Sequence, residues 1–175
     1  MSETSTRTKS QLLKVAEAAR SRFVHAIRDL KLAQISFIDR APALDQALLG
    51  ECKVFADRKL MMATLPPGGM MAEIGVDRGE FSRFILDTLK PRELHLFDLA
   101  PERIDPQYLD SALLSSGAAI FHQGDSSSNV ALFPNEFFDM IYVDGDHLYS
   151  GVVRDIVASE TKLKPGGHLV FNDYT

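Results

Sequence analysis

The sequence has little that could cross-link a fold, since Cys52 is the only cysteine among 175 residues. An intramolecular disulfide and a cysteine-based metal cluster are therefore excluded. The helical pattern around Cys52 predicts a buried, inert thiol. No apolar stretch approaches the length of a bilayer span, and MSETSTRTKS at the N-terminus lacks the apolar segment of a secretion signal. We therefore predict a cytoplasmic protein with no membrane partner.

The sequence also lacks an excess of basic residues. Its net charge is -5, and lysine and arginine occur mostly as single, scattered residues. A surface of this charge does not favour the phosphate backbone of a nucleic acid, so we expect no nucleic-acid partner. Apolar residues make up 45% of the chain and charged residues 25%. These shares are typical of a soluble globular protein that buries a core.

The chain changes character at the breaker PPGG, residues 66–69. Residues 1–10 are polar and predict a disordered tail. Residues 11–65 carry apolar residues at helical spacing and predict an N-terminal helical cap, with helical segments in APALDQALLG and ECKVFADRKLMMATL. Residues 66–175 form the predicted core domain.

Short apolar runs alternate with helical segments in the core domain. The runs are MMAEIG, ELHLFDLA, AAIFHQGD, FFDMIYVDGD and GHLVFND. A helix is predicted over Glu80–Lys90, and a helix-like segment over residues 101–117 despite its two prolines. Strands that are apolar throughout are buried on both faces, which requires helices on each side of a parallel sheet. The pattern predicts an α/β fold with a Rossmann-like, doubly wound parallel sheet preceded by N-terminal helices.

Polar residues follow each predicted strand at the point where it ends. They are Glu73 with Gly75, Asp98, Gly124 with Asp125, Asp144, and Asn172 with Asp173. Ligands of doubly wound folds bind beyond the carboxyl ends of the strands. These residues therefore predict one ligand site.

The loop after the first strand, AEIGVDRGEFS, has the pattern E-x-G-x-D-x-G, formed by Glu73, Gly75, Asp77 and Gly79. Glycine lets the backbone approach a ligand closely, and the helix that follows offers free N–H groups. The two carboxylates would repel a diphosphate and suit a cationic ligand that carries an amine. S-adenosylmethionine (SAM) fits this description. The alternative is an ordinary glycine-rich turn with solvated acids.

Two further strand ends suit an adenosine ligand. Asp98 lies where an acid binds ribose hydroxyls in dinucleotide folds, although it could instead cap the next helix. Asp125 and Ser126 lie in QGDSSS after the third strand and are candidates for binding the adenine amino group. The same sequence also suits the start of a helix.

From about Pro66 to Thr175 the chain resembles class I SAM-dependent methyltransferases. It is most similar to small-molecule O-methyltransferases that carry a DGDH motif, including enzymes that act on catechols and on antibiotic sugars. The matching segments are YVDGDHLYSGVVRDI and LKPGGHLVFNDYT. The resemblance implies methyl transfer from SAM to a hydroxyl group of a small-molecule acceptor. An N-methyltransferase and a non-catalytic SAM-binding or interaction module are the alternatives, and a nicotinamide oxidoreductase is a more distant one.

The resemblance also implies a metal site and a base. Asp144, Asn172 and Asp173 offer oxygen ligands that suit Mg²⁺, and metal-dependent relatives hold Mg²⁺ at these places. Asp146 corresponds to the proposed base of the sugar-type relatives, which makes it our preferred base. His147 is the competing base, because an imidazole titrates near neutral pH. Alternatively, Asp146 caps the following helix, and His147 only donates a hydrogen bond to the SAM carboxylate or to a backbone carbonyl.

Relatives continue past the fifth strand, whereas this sequence ends at Thr175. We therefore expect the C-terminal strands of the sheet to be missing from this chain, which leaves the fifth strand as an edge. The sequence is then a fragment, or the remaining strands come from another subunit, or the chain is a minimal SAM-binding core. An exposed strand edge can pair with another chain. The sequence thus predicts a homo-oligomer formed through this edge.

Overall fold

Five apolar segments form the strands of one sheet in a computed structural model, which describes residues 14, 17, 18, 20–22, 25, 26 and 45–172. The strands are β1 (Met70–Ile74), β2 (Glu93–Asp98), β3 (Ala119–Gln123), β4 (Phe138–Val143) and β5 (Leu163–Phe171). The helices are α1 (Arg58–Met62), α2 (Glu80–Leu89), α3 (Ser111–Ser115), α4 (Ser126–Ala131) and α5 (Tyr149–Glu160). Short 3-10 turns occupy Gln46–Leu49 and Pro101–Arg103.

The sheet is parallel throughout, and its strand order is β3-β2-β1-β4-β5. The predicted α/β doubly wound fold is confirmed. The strand order reverses direction between β1 and β4, and a crevice at such a switch point is the usual ligand site of the fold. Among the described strands, β5 forms one edge of the sheet, as the sequence predicted.

Apolar side chains cover both faces of the sheet, because successive residues of a strand point to opposite sides. In β1, Met71 belongs to the buried cluster that includes Phe81, Ile85 and Leu89 of α2. Its neighbours Met70, Ala72 and Ile74 belong to the opposite cluster, which includes Val130 of α4. Burial on both faces explains why β1 reads as a continuous apolar run.

The amino ends of three strands are joined by one side chain, Asp139 of β4. Its Oδ2 accepts a hydrogen bond from the backbone N–H of Met70 at 2.7 Å. Lys164 Nζ donates to the two oxygens of the same carboxylate at 2.9 and 2.8 Å. Asp139 therefore ties β1 and β5 to β4 at the end of the sheet opposite the switch-point crevice.

The helix-like segment predicted over residues 101–117 is shorter in the structure, where only Pro101–Arg103 and α3 are helical. Asp105 accepts a hydrogen bond from the backbone N–H of Gln107 at 3.0 Å. This local turn competes with helix formation, and Pro106 between the two residues has no N–H to donate. The predicted helix is therefore interrupted there.

The helical segment predicted within residues 51–65 is reduced to α1. Asp57 is the residue that starts it, since its carboxylate accepts from the backbone N–H of Leu60 at 2.8 Å. Cys52 lies outside any helix and is exposed. The prediction of a buried thiol was wrong because the helical pattern does not extend back to that residue.

The chain divides into two units, Met1–Cys52 and Lys53–Thr175. Helix α1 belongs to the second unit, although its sequence lies in the predicted cap of residues 11–65. The predicted tail of residues 1–10 and most of that cap lie outside the described residues, so their assignment stays a prediction. In the part of the chain that is described, no helix is long and apolar enough to span a bilayer.

Candidate functional site

A cavity of about 750 Å³ opens at the carboxyl ends of the strands, and eight carboxylates and four arginines line it. Its volume lies within the range of small-molecule and cofactor sites. Ten of the residues singled out in the sequence line this cavity: Glu73, Gly75, Asp77, Asp98, Gly124, Asp125, Ser126, Asp144, Asp146 and His147. The structure therefore brings together the residues that follow β1, β2, β3 and β4.

The glycine loop lies between the tips of β1 and β4. Gly75 has a φ of +85°, and its N–H donates to the carbonyl oxygen of Phe97 at 2.9 Å. The N–H of Asp144 donates to the carbonyl oxygen of Ile74 at 2.7 Å. Gly79 also has a positive φ, of +84°, but it packs against Leu109 and is not among the cavity-lining residues. The first glycine thus shapes the cavity and the second fits α2 onto the core.

Glu73 is only 1% exposed, although it lines the cavity floor. Burial raises the pKa of its carboxyl group to about 8, while a hydrogen bond donated by the Ser82 hydroxyl opposes this shift. The carboxylates of Asp144 and Asp98 raise it further. Glu73 is therefore protonated at neutral pH in the absence of a cationic ligand.

Asp98 ends β2 and holds the glycine loop. Its Oδ2 accepts from the backbone N–H groups of Val76 at 2.8 Å and Asp77 at 3.1 Å. Its Oδ1 accepts from the N–H of Ala100 at 3.0 Å. Burial opposes ionisation of Asp98, but these backbone bonds outweigh it and lower its pKa. An ionised acid therefore faces the cavity at the place predicted for ribose hydroxyls.

Two arginines at the cavity wall pair with carboxylates. Arg103, in the 3-10 turn after β2, forms an ion pair with Asp77, and Arg78 forms one with Asp105. Asp77 itself has a φ of +48°. These pairs fix the outer part of the glycine loop to the segment that follows β2.

Asp125 starts α4 and is exposed. Its carboxylate accepts from the Ser127 hydroxyl at 2.8 Å and the Ser128 N–H at 2.9 Å. Hydrogen bonds from Ser128 and Ser127 lower the pKa of Asp125 to about 2. The neighbouring Ser126 hydroxyl donates to the carboxylate of Asp155 at 2.6 Å. Asp125 therefore caps a helix, the alternative raised by its sequence, and still lines the cavity.

Asp146 and His147 lie at the mouth of the cavity, between β4 and α5, and both are exposed. Asp146 Oδ1 accepts from the backbone N–H of Leu148 at 2.9 Å, in a turn just before α5. The N-cap residue of α5 is Leu148, which has no side-chain cap, so Asp146 does not cap this helix. Asp146 Oδ2 lies 3.9 Å from a guanidinium nitrogen of Arg154. The two candidate bases are thus adjacent at the cavity, and the alternative that Asp146 caps the following helix is wrong.

The guanidinium of Arg58 lies at the ends of β4 and β5. Its Nη1 donates to the Tyr142 hydroxyl at 2.9 Å, to Asp144 Oδ2 at 3.3 Å and to Asn172 Oδ1. The Tyr142 hydroxyl in turn donates to Asn172 Oδ1 at 3.1 Å. Burial raises the pKa of the Tyr142 phenol well above its usual range, and Asp144 adds to this shift. We call these four residues the Arg58 cluster.

The Arg58 cluster decides whether the predicted metal ligands fit a divalent cation. Magnesium lies close to its oxygen ligands, at about 2.1 Å. Asp144 and Asn172 already share one guanidinium nitrogen, so a metal bound to both oxygens would lie against a positive charge. Within the described residues, no group of three acidic, histidine or cysteine side chains could hold a metal; Asp173 lies outside them. With Arg58 in place, Asp144 and Asn172 do not fit a metal ion, and the assignment of Asp173 stays a prediction.

Sequence reasoning missed the cavity residues Arg58 and Asp155, and it missed Tyr142, the buried residue that binds Arg58. Tyr142 and Asp155 lie inside the DGDH segment, and their polar atoms in otherwise apolar strand and helix patterns were an available signal. Arg58 lies in ADRKLMM, where no motif marks it. Its position follows only from the packing of α1 beside β4.

A family model described as a methyltransferase domain matches residues 72–174, more than half of the chain. The match begins in β1 and covers the glycine loop, the DGDH segment and β5. It therefore includes every site residue proposed from the sequence, and it does not include Arg58.

Two solved structures show the same fold. The YcgJ protein from Bacillus subtilis has a TM-score of 0.50 and 21% sequence identity, and the match covers 64% of this chain and 47% of that protein. Precorrin-6y C5,15-methyltransferase from Geobacter metallireducens has a TM-score of 0.51 and 16% identity, with 67% and 60% of the two chains covered. The chain thus spans about half the length of the first structure and less than two thirds of the second. No curated protein matches it.

Proposed function

Because the chain belongs to the methyltransferase-domain family, we propose that it transfers the methyl group of SAM to a hydroxyl group of a small-molecule acceptor. The observation that carries this proposal is the charge of the cavity. Eight acidic residues and four arginines line the cavity; with Glu73 protonated, seven carboxylates still outnumber the four guanidinium groups. A negative excess in a partly enclosed site favours a ligand with a sulfonium and an ammonium group over a diphosphate.

Each part of SAM has a complementary residue. We assign the ribose hydroxyls to Asp98, which faces the cavity as a carboxylate. We assign the adenine to the part of the cavity beside Asp125 and Ser126, at the start of α4. The methionine part lies toward Gly75 and Asp144, where the tips of β1 and β4 meet, with Glu73 beneath them. Gly79 supports this arrangement by packing rather than by contact.

We propose that Asp146 acts as the base. The acceptor O–H bond breaks as its proton passes to the carboxylate, and the oxygen forms a bond to the methyl carbon. The carbon–sulfur bond breaks, and its electron pair returns to sulfur to give neutral S-adenosylhomocysteine (SAH). His147 is the competing base, so Asp146→Asn and His147→Gln should be compared. Loss of the base lowers kcat by about 10²-fold or more, while SAH affinity is retained.

The proposal is tested in two steps on the full chain. Calorimetry with SAH should show saturable binding, and Asp98→Ala should weaken it. Transfer of labelled methyl from SAM is then measured on a panel of catechols, other phenols and sugars. Binding without transfer to any acceptor, including amines, would favour a non-catalytic SAM-binding module. Tight binding of NAD(H) without binding of SAH would contradict the proposal altogether.

A further inference from the structure

The Arg58 cluster puts a fixed positive charge at the place where the sequence predicted a divalent cation. Arg58 Nη1 shares its hydrogens among oxygens of Tyr142, Asp144 and Asn172. Two of these oxygens belong to the predicted metal ligands. A guanidinium and a metal ion compete for them, because both neutralise the same carboxylate and amide oxygens.

A helix cap and an aromatic contact also fix the position of Arg58. Asp57 caps α1 immediately before it, which fixes the backbone at the start of the helix. The guanidinium carbon lies 4.5 Å from the centre of the Phe81 ring, and this ring packs on Tyr142 with 4.4 Å between ring centres. Stacking on an aromatic face favours arginine over lysine. The side chain is therefore oriented by stacking, by hydrogen bonds and by its helix.

An arginine side chain supplies a permanent positive charge at physiological pH. The occupancy of a metal site, in contrast, depends on the metal concentration. The cluster thus combines one permanent cation with the carboxylate of Asp144 at the wall of the cavity.

We propose that Arg58 replaces the divalent cation in this chain, and that it is the positioning residue that orients Asp144 and Asn172 beside the reacting methyl group. This inference rests on the proposed function for its role in methyl transfer. Its structural part, that Arg58 occupies the cation position and keeps metal out, stands independently. The acceptor hydroxyl then meets an arginine-held carboxylate instead of a metal-bound oxygen.

The test uses Mn²⁺ alone as the probe, measured by the loss of its free electron paramagnetic resonance signal. Wild type should show no saturable binding at millimolar Mn²⁺. Arg58→Ala removes the competing charge and should bind Mn²⁺ on the order of tenfold more tightly or better. Arg58→Lys keeps a positive charge and should behave like wild type.

Matched controls separate this effect from misfolding. Lys59 is the next residue of α1 and contacts the ring of Phe84, so Lys59→Ala removes a cation outside the cluster. It should leave Mn²⁺ binding unchanged. A double variant, Arg58→Ala with Asp144→Ala, should lose the binding that Arg58→Ala gained. Thermal unfolding establishes that each variant is folded.

Saturable Mn²⁺ binding by wild type would overturn the inference, and so would the absence of any gain in folded Arg58→Ala. SAH calorimetry on the same samples keeps the two proposals apart. If SAH does not bind, the proposed function fails while the Mn²⁺ result still decides the identity of the cation. If SAH binds and wild type also binds Mn²⁺, only the role of Arg58 is wrong.

Discussion

A β-carbon placed on Gly75 would lie 2.1 Å from the carbonyl oxygen of Asp144. The contact joins the tips of β1 and β4, the two strands between which the strand order reverses. Since a backbone oxygen cannot move aside as a flexible side chain can, no other residue fits at Gly75 without displacing β4. The shape of the cavity floor therefore depends on the close contact between Gly75 and the backbone of Asp144.

We therefore expect Gly75→Ala to destabilise the fold by about 4 kcal/mol or more, because backbone strain and steric overlap add. Gly117→Ala is the matched control. Its φ is +80°, but nothing lies within 4 Å of an added β-carbon, so only the strain of about 1 kcal/mol applies. Urea denaturation of both variants measures the difference. Equal losses would show that the Gly75–Asp144 contact is not rigid.

Glu73 should make stability depend on pH. Burial raises its pKa from 4.5 to about 8, so the folded state binds a proton that the unfolded state has released in this interval. Stability from this group is fully present below pH 4.5 and declines by up to ~1.4 kcal/mol per pH unit as pH rises toward 8. Urea denaturation at several pH values should show a shallower decline for Glu73→Gln than for wild type. Parallel curves for the two proteins would contradict the assignment.

Ser126 should stabilise a buried carboxyl group. Asp155 is 3% exposed; burial raises its pKa, and the Ser126 hydrogen bond opposes this rise. Ser126→Ala leaves that oxygen without its donor and should lower the free energy of unfolding by about 1–3 kcal/mol. In Ser127→Ala, the lost donor serves the exposed Asp125, and we expect a loss of about 0.5 kcal/mol. If Ser127→Ala proves the more harmful, burial is not the cause.

Strand β5 should mediate self-association, because it lies at an edge of the described sheet and Phe171 on it is 39% exposed. Sedimentation equilibrium should show an average mass that rises with protein concentration. Phe171→Lys should suppress this rise, since a charge on an edge strand discourages pairing. Leu132→Lys removes another exposed apolar residue, outside the strands, and should leave the rise intact. A constant monomer mass would refute the prediction.

The fold could be predicted because its physical causes lie close together along the chain. Strand β1 is apolar on both faces, and its acid and glycine follow at once, so a short segment already indicates a buried strand that ends at a ligand site. The same holds for Asp144 after β4. Ten residues singled out from these local patterns lie around one cavity, while their roles stay predictions.

Arg58 could not be predicted because its role depends on distant residues. It lies 84 positions from Tyr142 and 114 from Asn172 in the sequence, and its own segment has no motif. The interruption at Asp105 was missed for a different reason: the apolar spacing of residues 101–117 is helical, but a side chain competes for the backbone N–H groups. The spacing of apolar residues carries no information on this competition between a side chain and the helix for backbone N–H groups.

The position of the Asp139 carboxylate affects which parts of the sheet can tolerate amino-acid substitutions. This carboxylate joins β1, β4 and β5 at one end of the sheet, while the cavity lies at the other end. Apart from Gly75, whose contact with Asp144 is needed for the fold, substitutions at the strand tips can therefore occur without removing the contacts that hold these three strands together. Such spatial separation lets the lining of the cavity change while the strand pairing stays the same.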